Sequence, residues 1–493
     1  MILNINGEIN EYYVQTLCML FFPGEKFSAA KQSDTDSPAA SVSIEESVDG
    51  ITANVSVSYM GKTVAHSYFE SFSDMETLDK TRKIAVGKAF FNAAKKLVGK
   101  APQWGILTGV RPAKLALQAL CSGATKAEVR SKFTKEYFVN AKKATLACDT
   151  AYLEKKIIAA APENACSIYI SIPFCPTRCS YCSFVSYTSP KLLGLLDGYL
   201  EQLCLDIVEQ TELIKALGLT VATVYIGGGT PTTLSAVQLE KLLSVISENV
   251  DMTKVEEFTV EAGRPDTITR EKLEIIKKYG VSRISINTQT LNDEVLDLIG
   301  RKHTAADFYR AFELTREIGI PQINTDLIAG LPGEGFGSFS STVDEIIKLR
   351  PENLTVHTLC IKNAADFSRE RSYIYDRGEN VATKLVDYAH LAVKNAGYLP
   401  YYMYRQKNTV DNLENVGFCL PGCEGKYNIY MMEEIHSIFA IGAGAVSKLV
   451  DRSSGKIERI FEYKYPYEYL SKENEQRERD KKAKIISFYD NIC

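Results

Sequence analysis

Three cysteines on one short segment carry the clearest chemistry in the chain. Cys175, Cys179 and Cys182 have the spacing C-x3-C-x2-C within Ile172–Phe184. Thiolates are the usual ligands of iron–sulfur clusters, and a [4Fe–4S] cluster needs one ligand for each iron. Three cysteines therefore leave one iron open to a substrate or cofactor. Structural zinc needs a fourth Cys or His at suitable spacing, and none follows nearby. The spacing favours a catalytic cluster over zinc or three reduced core thiols.

A second group of polar residues comes after the cysteine segment, at or near the ends of the predicted strands. Its members are Gly228, Gly229, Thr230, Glu261, Gln289, Arg301 and Asp326. Glycines let a ligand's polar groups approach backbone amides, although a glycine run alone is more often a turn. Buried carboxylates are uncommon without a partner. One of them alone could be a structural hydrogen-bonding group, but several at successive strand ends predict a shared ligand.

The strands that must position these residues alternate with helices, which is the pattern of an α/β fold. The six predicted strands are Ser167–Ile172, Val221–Ile226, Glu257–Glu261, Arg283–Ile286, Ile323–Ala329 and Leu354–His357. Helical patterns lie between them, for example Gly194–Lys215 and Arg270–Tyr279. Six such units predict a partial (β/α)6 barrel with its active site at the C-terminal ends of the strands. The cysteine segment follows the first strand, as this rule requires.

At 493 residues the chain exceeds one ordinary domain. We predict an α+β N-terminal domain over residues 1–162, the partial barrel over 163–360 and a small α+β domain that covers the substrate over 361–493. The N-terminal patterns predict a loop at Phe27–Ser43, a hairpin of Ile51–Tyr59 with Thr63–Phe69, and helices at Met75–Val98, Lys126–Glu136 and Asn140–Ala160. The C-terminal patterns predict a helix at Thr383–Ala396, a strand at Ser437–Ile441 and a solvated helix within Glu468–Lys484.

The composition limits the classes of partner. A net charge of −4 and a pI near 5.9 provide no basic field for nucleic acid or an anionic membrane. No apolar run reaches about 18 residues, so we expect no transmembrane helix. The twelve cysteines are diluted through a long chain, and the N-terminus lacks the basic region of a signal peptide. We therefore expect a cytoplasmic protein.

The cysteine segment resembles the cluster loop of radical S-adenosylmethionine enzymes. Its context, Tyr169–Cys175, resembles the oxygen-independent coproporphyrinogen III dehydrogenase group. This resemblance implies two cofactors, a [4Fe–4S] cluster and S-adenosyl-L-methionine. It also implies that the Gly-Gly-Gly-Thr-Pro segment receives the cofactor's amino group, that Arg301 faces its carboxylate and that Asp326 faces its ribose. Glu261 and Gln289 match further contacts, and Tyr169 and Tyr181 match aromatic contacts near the methionyl and adenine parts. Tyr169 and Arg178 are the expected catalytic side chains.

In the resembling enzymes, an electron from the reduced cluster cleaves the cofactor, and the resulting 5′-deoxyadenosyl radical takes hydrogen from a propionate side chain of coproporphyrinogen III. Loss of carbon dioxide leaves a vinyl group, and two such steps give protoporphyrinogen IX. The resemblance therefore implies a tetrapyrrole substrate and a low-potential electron donor such as flavodoxin or ferredoxin.

Two departures leave the branch of the family open. Phe184 stands where bacterial dehydrogenases have a fourth cysteine, and Ser171 stands where they have a histidine. Related haem chaperones also lack that cysteine, but they have an HNxxYW segment, and the comparable stretch Lys426–Met432 contains no histidine. Trp104–Pro112, Tyr404–Asn408 and Asn412–Gly417 resemble the HemZ type of dehydrogenase. The alternatives are a haem chaperone-like carrier and a radical enzyme that acts on another tetrapyrrole.

Several further residues have two interpretations. A tetra-anionic porphyrinogen needs cationic partners, and the candidates, each of which could equally be a surface charge, are Arg111, Arg178, Arg405, Lys407 and Lys426. The Trp104–Lys114 segment predicts the start of a helix packed on the barrel, or a lid over an anionic ligand. Cys360, Cys419 and Cys423 could hold a second cluster, but no third cysteine lies close in sequence to the last two. We expect His357, His390 and His436 to be packed or exposed rather than ligands.

Overall fold

The computed structural model describes residues 1–27, 36–73, 77–109, 111–184, 186–360, 381–407 and 409–491. Val110, Asn408 and residues 361–380, which belong to segments singled out above, lie outside these ranges. Two compact units are present. Unit 1 contains Met1–Tyr152 and Met403–Glu414, and unit 2 contains the described residues from Leu153 to 360, Lys384–Tyr402 and the chain from Asn415 onward. The division into three domains stays a prediction.

Unit 1 is built on a four-stranded sheet in the order β1-β2-β3-β4. The strands are β1 (Ile2–Asn6), β2 (Ala39–Glu46), β3 (Gly50–Tyr59) and β4 (Lys62–Ser71). β1 is parallel to β2, and the other pairs are antiparallel. The predicted hairpin is confirmed, with Met60 and Gly61 at φ 48° and 68°, as a tight two-residue turn requires.

One prediction in this unit is wrong, because Ala39–Ser43 belong to β2 and not to a loop. Ala40 and Val42 are buried while Ser41 is exposed, which is the alternation of a half-buried strand. Alanine and serine carry little strand propensity of their own. Pairing with β1 and β3 therefore decides the structure of this segment.

Five helices lie in the described chain up to Ala159. They are α1 (Glu11–Phe21), α2 (Leu78–Val98), α3 (Pro112–Cys121), α4 (Lys126–Lys135) and α5 (Ala141–Ala159). α2 packs on β3 and β4 and buries Ile84 and Phe90 against the sheet. Pro112 is the first residue of α3, where its missing N–H costs no hydrogen bond. The predicted start of a helix after Trp104 is therefore present.

A buried carboxylate links three distant segments of unit 1. Glu414 is fully buried and accepts hydrogen bonds from Trp104 Nε1 at 2.7 Å and from Lys143 Nζ at 2.8 Å. The Arg405 guanidinium lies 5.5 Å from the Trp104 ring centroid and donates to the Leu107 carbonyl at 2.6 Å. Burial lowers the pKa of Arg405 to about 10, partly offset by Glu414. Trp104 and Arg405 therefore have structural contacts in this unit.

Unit 2 contains a sheet of eleven strands in the order β11-β12-β10-β9-β8-β7-β6-β5-β13-β14-β15. Its central strands are β5 (Ala165–Ile172), β6 (Thr220–Gly228), β7 (Glu257–Glu261), β8 (Arg283–Ser285), β9 (Gln322–Ala329) and β10 (Asn353–Thr358). These six are parallel and neighbour one another in chain order. The six predicted strands and the partial barrel are confirmed.

Further strands flank both edges of this parallel group. They are β11 (Leu399–Arg405), β12 (Glu414–Cys419), β13 (Ile438–Ile441), β14 (Val446–Val450) and β15 (Ile457–Phe461). β12 is antiparallel to β10, whereas β13 is parallel to β5. Because β13 occupies the free edge of β5, the barrel does not close through pairing of its first and sixth strands.

The remaining helices alternate with the strands or follow them. They are α6 (Pro190–Leu193), α7 (Leu196–Ala216), α8 (Ala236–Asn249), α9 (Arg270–Lys278), α10 (Asp293–Leu298), α11 (Ala305–Ile318), α12 (Phe336–Leu349), α13 (Val381–Asn395), α14 (Lys426–Glu433), α15 (Pro466–Tyr469) and α16 (Glu473–Asp490). None of the helices in the described ranges is both long and apolar enough to cross a membrane.

The charged run near the C-terminus is more than a solvated helix. Within α16, Lys481 is buried and its Nζ lies 2.6 Å from Glu462 Oε1. Ile485 and Phe488 of the same helix are also buried. The prediction of a solvated helix is wrong for this face, because a charged residue can be buried when a carboxylate from another segment balances it.

We predict that Glu414→Ala destabilises unit 1 by about 3–5 kcal/mol, because it removes the carboxylate that balances the buried Lys143 charge. Chemical denaturation followed by the fluorescence of Trp104, the single tryptophan of the chain, measures this change. Glu317→Gln is the control, since it removes one partner of the exposed Arg270–Glu317 pair and should cost at most about 1 kcal/mol. Equal effects of the two substitutions would contradict the structural role of Glu414.

Candidate active site

The cysteine loop is attached to the barrel by backbone hydrogen bonds. Gly229 N donates to Ile172 O and Thr230 N donates to Phe174 O, both at 2.8 Å. At the other end of the loop, Cys175 N donates to Tyr187 O at 3.1 Å. Phe174 is fully buried, with its ring centroid 5.2 Å from that of Tyr199. The loop is therefore held at both ends before any ligand binds.

These bonds give the glycine run a structural role in addition to the predicted contact with the cofactor, which stays a prediction. A Cβ on Gly229 would lie 2.5 Å from Phe174 O, so a side chain there would push the cysteine loop away. Gly228 has φ +106°, which other residues rarely adopt. The amides of Gly229 and Thr230 are used by the loop and are not free to receive a ligand.

The three thiols form one group that fits a cluster. Burial raises the pKa of Cys175 and Cys182, and in both cases the charges of neighbouring cysteines of the loop raise the pKa further. Within the described ranges, no three His, Cys, Asp or Glu side chains converge so as to hold a single metal ion. A [4Fe–4S] cluster does not require such convergence, because each cysteine binds a different iron. The three thiols, which affect one another electrostatically, therefore fit a cluster that takes one cysteine for each iron.

Three arginines surround the loop. Arg264 Nη1 lies 3.4 Å from Cys179 Sγ, and its Nη2 donates to Thr177 Oγ1. Arg301 donates to Tyr181 Oη at 3.0 Å and to two backbone carbonyls, Asn287 O at 2.7 Å and Gly263 O. Arg178 directs its guanidinium to the carbonyls of Cys182 and Ser186, at 3.5 and 3.4 Å. The loop thus lies in a positively charged environment suited to an anionic cluster and an anionic ligand.

Glu261 and Asp326 lie near each other and differ in charge state. Burial raises the pKa of Glu261 to about 7, with a further contribution from the charge of Asp326, and Tyr225 Oη donates to Glu261 Oε1 at 2.6 Å. Burial also disfavours ionisation of Asp326, but the neighbouring His357, whose Nε2 lies 3.6 Å from Oδ2, and a hydrogen bond of 2.9 Å from Asn324 Nδ2 to Oδ1 hold its pKa below the ordinary value. Asp326 is therefore the anionic member of the pair at neutral pH.

Glu261, Gln289, Arg301 and Asp326 form what is called the cofactor row below. Among these residues, Gln289 has a side-chain oxygen without a hydrogen-bond partner in the described residues. Its side chain is buried, and its Oε1 has no hydrogen-bond partner among the described residues. Its φ is +72°, a strained value for a residue other than glycine, and its amide donates to Asp326 O at 3.0 Å. An unsatisfied buried acceptor costs about 1–3 kcal/mol, so a donor from a bound ligand or a water molecule would stabilise this oxygen. The row therefore fits S-adenosyl-L-methionine, whose amino and hydroxyl groups supply donors.

A stack of three tyrosines lies beside this row. The ring centroids of Tyr225 and Tyr427 are 4.5 Å apart, and Tyr169 lies 6.1 Å from Tyr225 and 6.4 Å from Tyr427, with near-parallel planes. Sequence analysis singled out Tyr169 but missed the other two. Register would have predicted Tyr225, because it pairs with Tyr169 across parallel strands and so faces the same side. No local pattern predicted Tyr427, which α14 brings from the C-terminal part of the chain.

Sequence analysis predicted no functional role for two histidines near the site, His357 and His303. His357 Nε2 lies 3.6 Å from Asp326 Oδ2, and its position at the end of the sixth strand was the signal for it. His303 Nδ1 lies 3.4 Å from Arg301 Nε. Burial lowers the pKa of His303 to about 3, with the charges of Arg301 and Arg264 adding to the effect. His303 is therefore neutral at neutral pH, and it adds no charge beside Arg301.

The remaining candidates are placed as follows. Lys426 Nζ lies 3.3 Å from Glu256 Oε1. Phe184 is 68% exposed, whereas Ser171 is buried and donates to Ala443 O at 2.8 Å. Cys419 is buried on β12, and burial raises the pKa of its thiol.

Comparison with known proteins places the site in a family. Residues 169–346 match the Radical SAM superfamily. The oxygen-independent coproporphyrinogen-III oxidase-like protein HemZ of Bacillus subtilis (strain 168) is 37% identical over 483 residues, which is 96% of this chain and 95% of that protein. The heme chaperone HemW of Lactococcus lactis is 34% identical over 57% of this chain and 68% of its own length. The solved structure of coproporphyrinogen III oxidase (HemN) from Escherichia coli, a radical SAM enzyme, matches with a TM-score of 0.50 and 23% identity over 66% of this chain and 73% of that chain.

The share of the chain that each match covers decides to which family this chain is assigned. The likeness to HemN concerns the fold, and the match to HemW covers little more than half of this chain. The match to HemZ includes nearly all of both proteins, and therefore the N-terminal region that precedes the barrel. The cysteine loop, the arginines around it and the unsatisfied Gln289 fit the [4Fe–4S] cluster and S-adenosyl-L-methionine of the superfamily. The chain therefore belongs to the HemZ-type family of coproporphyrinogen-III oxidase-like proteins within the radical SAM superfamily.

Proposed function

We propose that this protein catalyses the oxygen-independent oxidative decarboxylation of two propionates of coproporphyrinogen III to vinyl groups, giving protoporphyrinogen IX in cytoplasmic haem biosynthesis. The observation that carries the proposal is the match to HemZ over 96% of the chain, combined with a complete cluster loop and cofactor row at the barrel's strand ends. A low-potential donor such as flavodoxin or ferredoxin would supply the electron.

In this proposal Cys175, Cys179 and Cys182 hold the cluster, and the bound cofactors supply the radical chemistry that takes hydrogen from a substrate carbon. Arg301 binds the carboxylate of S-adenosyl-L-methionine with a fixed, permanent charge. Asp326, ionised and oriented by His357, accepts hydrogen bonds from the ribose hydroxyls. Gln289 Oε1 accepts from a donor of the same ligand.

The tyrosine stack provides a surface for the substrate. Tyr169, Tyr225 and Tyr427 present aromatic rings on which a pyrrole ring can pack, and burial excludes water from the reacting carbon. Tyr225 also fixes Glu261 through its hydroxyl. Because its pKa is raised to about 7, Glu261 is partly protonated at neutral pH and can donate a hydrogen bond to a propionate as well as accept one.

A haem chaperone-like carrier is the second candidate, favoured by the similarity to HemW and by Phe184 and Ser171. Helix α14, which contains the stretch comparable to the HNxxYW segment, includes no histidine. Its Tyr427 belongs to the aromatic stack and its Lys426 pairs with Glu256. Without an imidazole on this helix, axial ligation of haem iron has no donor there, which favours the enzyme. A radical reaction on another tetrapyrrole is the third candidate.

We predict that Cys179→Ala abolishes assembly of an oxygen-sensitive [4Fe–4S] cluster, because the loop then has one ligand too few. Anaerobic reconstitution followed by iron and sulfide analysis and visible absorbance measures the loss. Cys121→Ala, at an exposed cysteine outside the loop, should reconstitute like the unaltered protein. Stoichiometric zinc in place of iron in the unaltered protein would contradict the cluster.

Asp326→Ala should weaken binding of S-adenosyl-L-methionine by about 1.5–3 kcal/mol, or roughly ten- to 150-fold in Kd, because a charge-assisted hydrogen bond is lost. Anaerobic calorimetry on reconstituted protein gives the affinity. The matched control is Asp344→Asn, whose carboxylate hydrogen-bonds Tyr388 on the exposed side of α12. Unchanged affinity in a folded Asp326→Ala protein would remove Asp326 from the cofactor site.

The substrate is tested by anaerobic incubation of reconstituted protein with a reductant, S-adenosyl-L-methionine and coproporphyrinogen III. We expect 5′-deoxyadenosine together with porphyrin products that have lost carboxyl groups, and neither with Cys175→Ala. Mass spectrometry identifies both products. Tight haem binding without substrate-dependent 5′-deoxyadenosine would select the carrier. Cofactor cleavage without carboxyl loss would point to another radical reaction.

A further inference from the structure

Arg264 lies against Cys179 of the cluster loop, and the proposed function gives this arginine no role. It follows β7 by three residues, and Pro265 after it begins a short turn in which Thr267 N donates to Arg264 O at 3.0 Å. The side chain is 3% exposed. The backbone turn and the burial together fix where the guanidinium lies.

Each edge of the Arg264 guanidinium has a defined contact. Nη1 donates to Cys179 Sγ at 3.4 Å, Nη2 donates to Thr177 Oγ1, and Nε donates to Asp266 Oδ1 at 3.3 Å. The contact to Cys179 joins residues 85 positions apart in the chain. Because Thr177 and Cys179 belong to the same loop, the arginine holds the loop at two points and directs an N–H to a ligand sulfur.

The charge around Cys179 differs from that around Cys175. The Cys175 sulfur lies 3.4 Å from the neutral hydroxyl of Thr230. Cys179 instead faces the cation of Arg264, and the buried Arg301 also interacts electrostatically with it. Charges separated from water interact more strongly than exposed ones, so both arginines would act on an iron bound by Cys179.

We propose that Arg264 is a positioning residue that raises the reduction potential of the [4Fe–4S] cluster through a hydrogen bond to the Cys179 sulfur and its permanent positive charge. The inference rests on the cluster and not on the identity of the tetrapyrrole. In the step concerned, the cluster takes one electron from a low-potential donor of the flavodoxin or ferredoxin class, and its charge becomes more negative by one. No proton moves, because an arginine side chain stays protonated.

The physical reason is that hydrogen bonds to cluster sulfurs and nearby charge set the potential of such clusters. A buried cation and an N–H donor stabilise the reduced state, which is more negative, over the oxidised state. The cluster then becomes easier to reduce. A purely structural arginine, which only tied Thr177 to Asp266, would change the amount of cluster retained but not its potential.

The test compares Arg264→Gln, Arg264→Lys and Arg270→Gln, each reconstituted anaerobically without S-adenosyl-L-methionine or porphyrinogen. Reductive titration with titanium(III) citrate, followed by electron paramagnetic resonance, gives the midpoint potential, and iron and sulfide analysis gives the cluster content. Arg264→Gln should shift the midpoint to a more negative value. Arg264→Lys retains the charge and should shift it less. Arg270→Gln removes an exposed arginine of α9 and should leave it unchanged.

A normal cluster content with an unchanged midpoint in Arg264→Gln would overturn the proposal. Loss of the cluster from both Arg264 variants, with normal loading of Arg270→Gln, would also overturn it, because Arg264 would then serve only to fold the loop. If only Arg264→Gln loses the cluster, the midpoint potential of Arg264→Lys decides the question. A shift to a more negative value supports the proposal, and an unchanged value rejects it. Since no porphyrinogen is present, failure of the proposed decarboxylation does not affect these results.

Discussion

The cofactor site depends on the attachment of the cysteine loop to the glycine run after β6. Two amides, those of Gly229 and Thr230, donate to the carbonyls of Ile172 and Phe174, and this pairing carries the contact between β5 and β6 into the loop. A side chain at Gly229 would collide with the Phe174 carbonyl. The backbone at the start of the cysteine loop is therefore fixed by the sheet.

Burial of charge around this loop explains the choice of residues there. Arg301 and Arg264 are both buried. Arg301 is satisfied by neutral groups, so its positive charge is left for the cluster and for an anionic ligand, whereas the charge of Arg264 is partly balanced by Asp266, whose Oδ1 lies 3.3 Å from Nε. On the other side of the site, Asp326 is kept ionised by His357 while burial pushes Glu261 toward protonation. Two carboxyl groups with different charge states can then hold different parts of a ligand.

The chain is similar both to HemZ, a coproporphyrinogen-III oxidase-like protein, and to HemW, a heme chaperone. Helix α14 of this chain contributes Tyr427 to a stack with Tyr169 and Tyr225. This helix therefore offers an aromatic surface and supplies no histidine that could ligate an iron.

The sequence by itself determined the six parallel strands, because they follow from local hydrophobic patterns. From the cysteine spacing and the rule that the ends of parallel strands share one edge, it predicted the cluster ligands and the cofactor row. It also indicated the family from the same segments. It mistook Ala39–Ser43 for a loop, because alanine and serine carry a weak strand signal that pairing overrides. Only the tertiary structure decided that the glycine amides serve the loop, that Tyr427 joins Tyr225, that His357 orients Asp326 and that Arg264 reaches Cys179. These contacts join residues far apart in the chain, and their formation depends on strand register and helix docking, which no local pattern encodes.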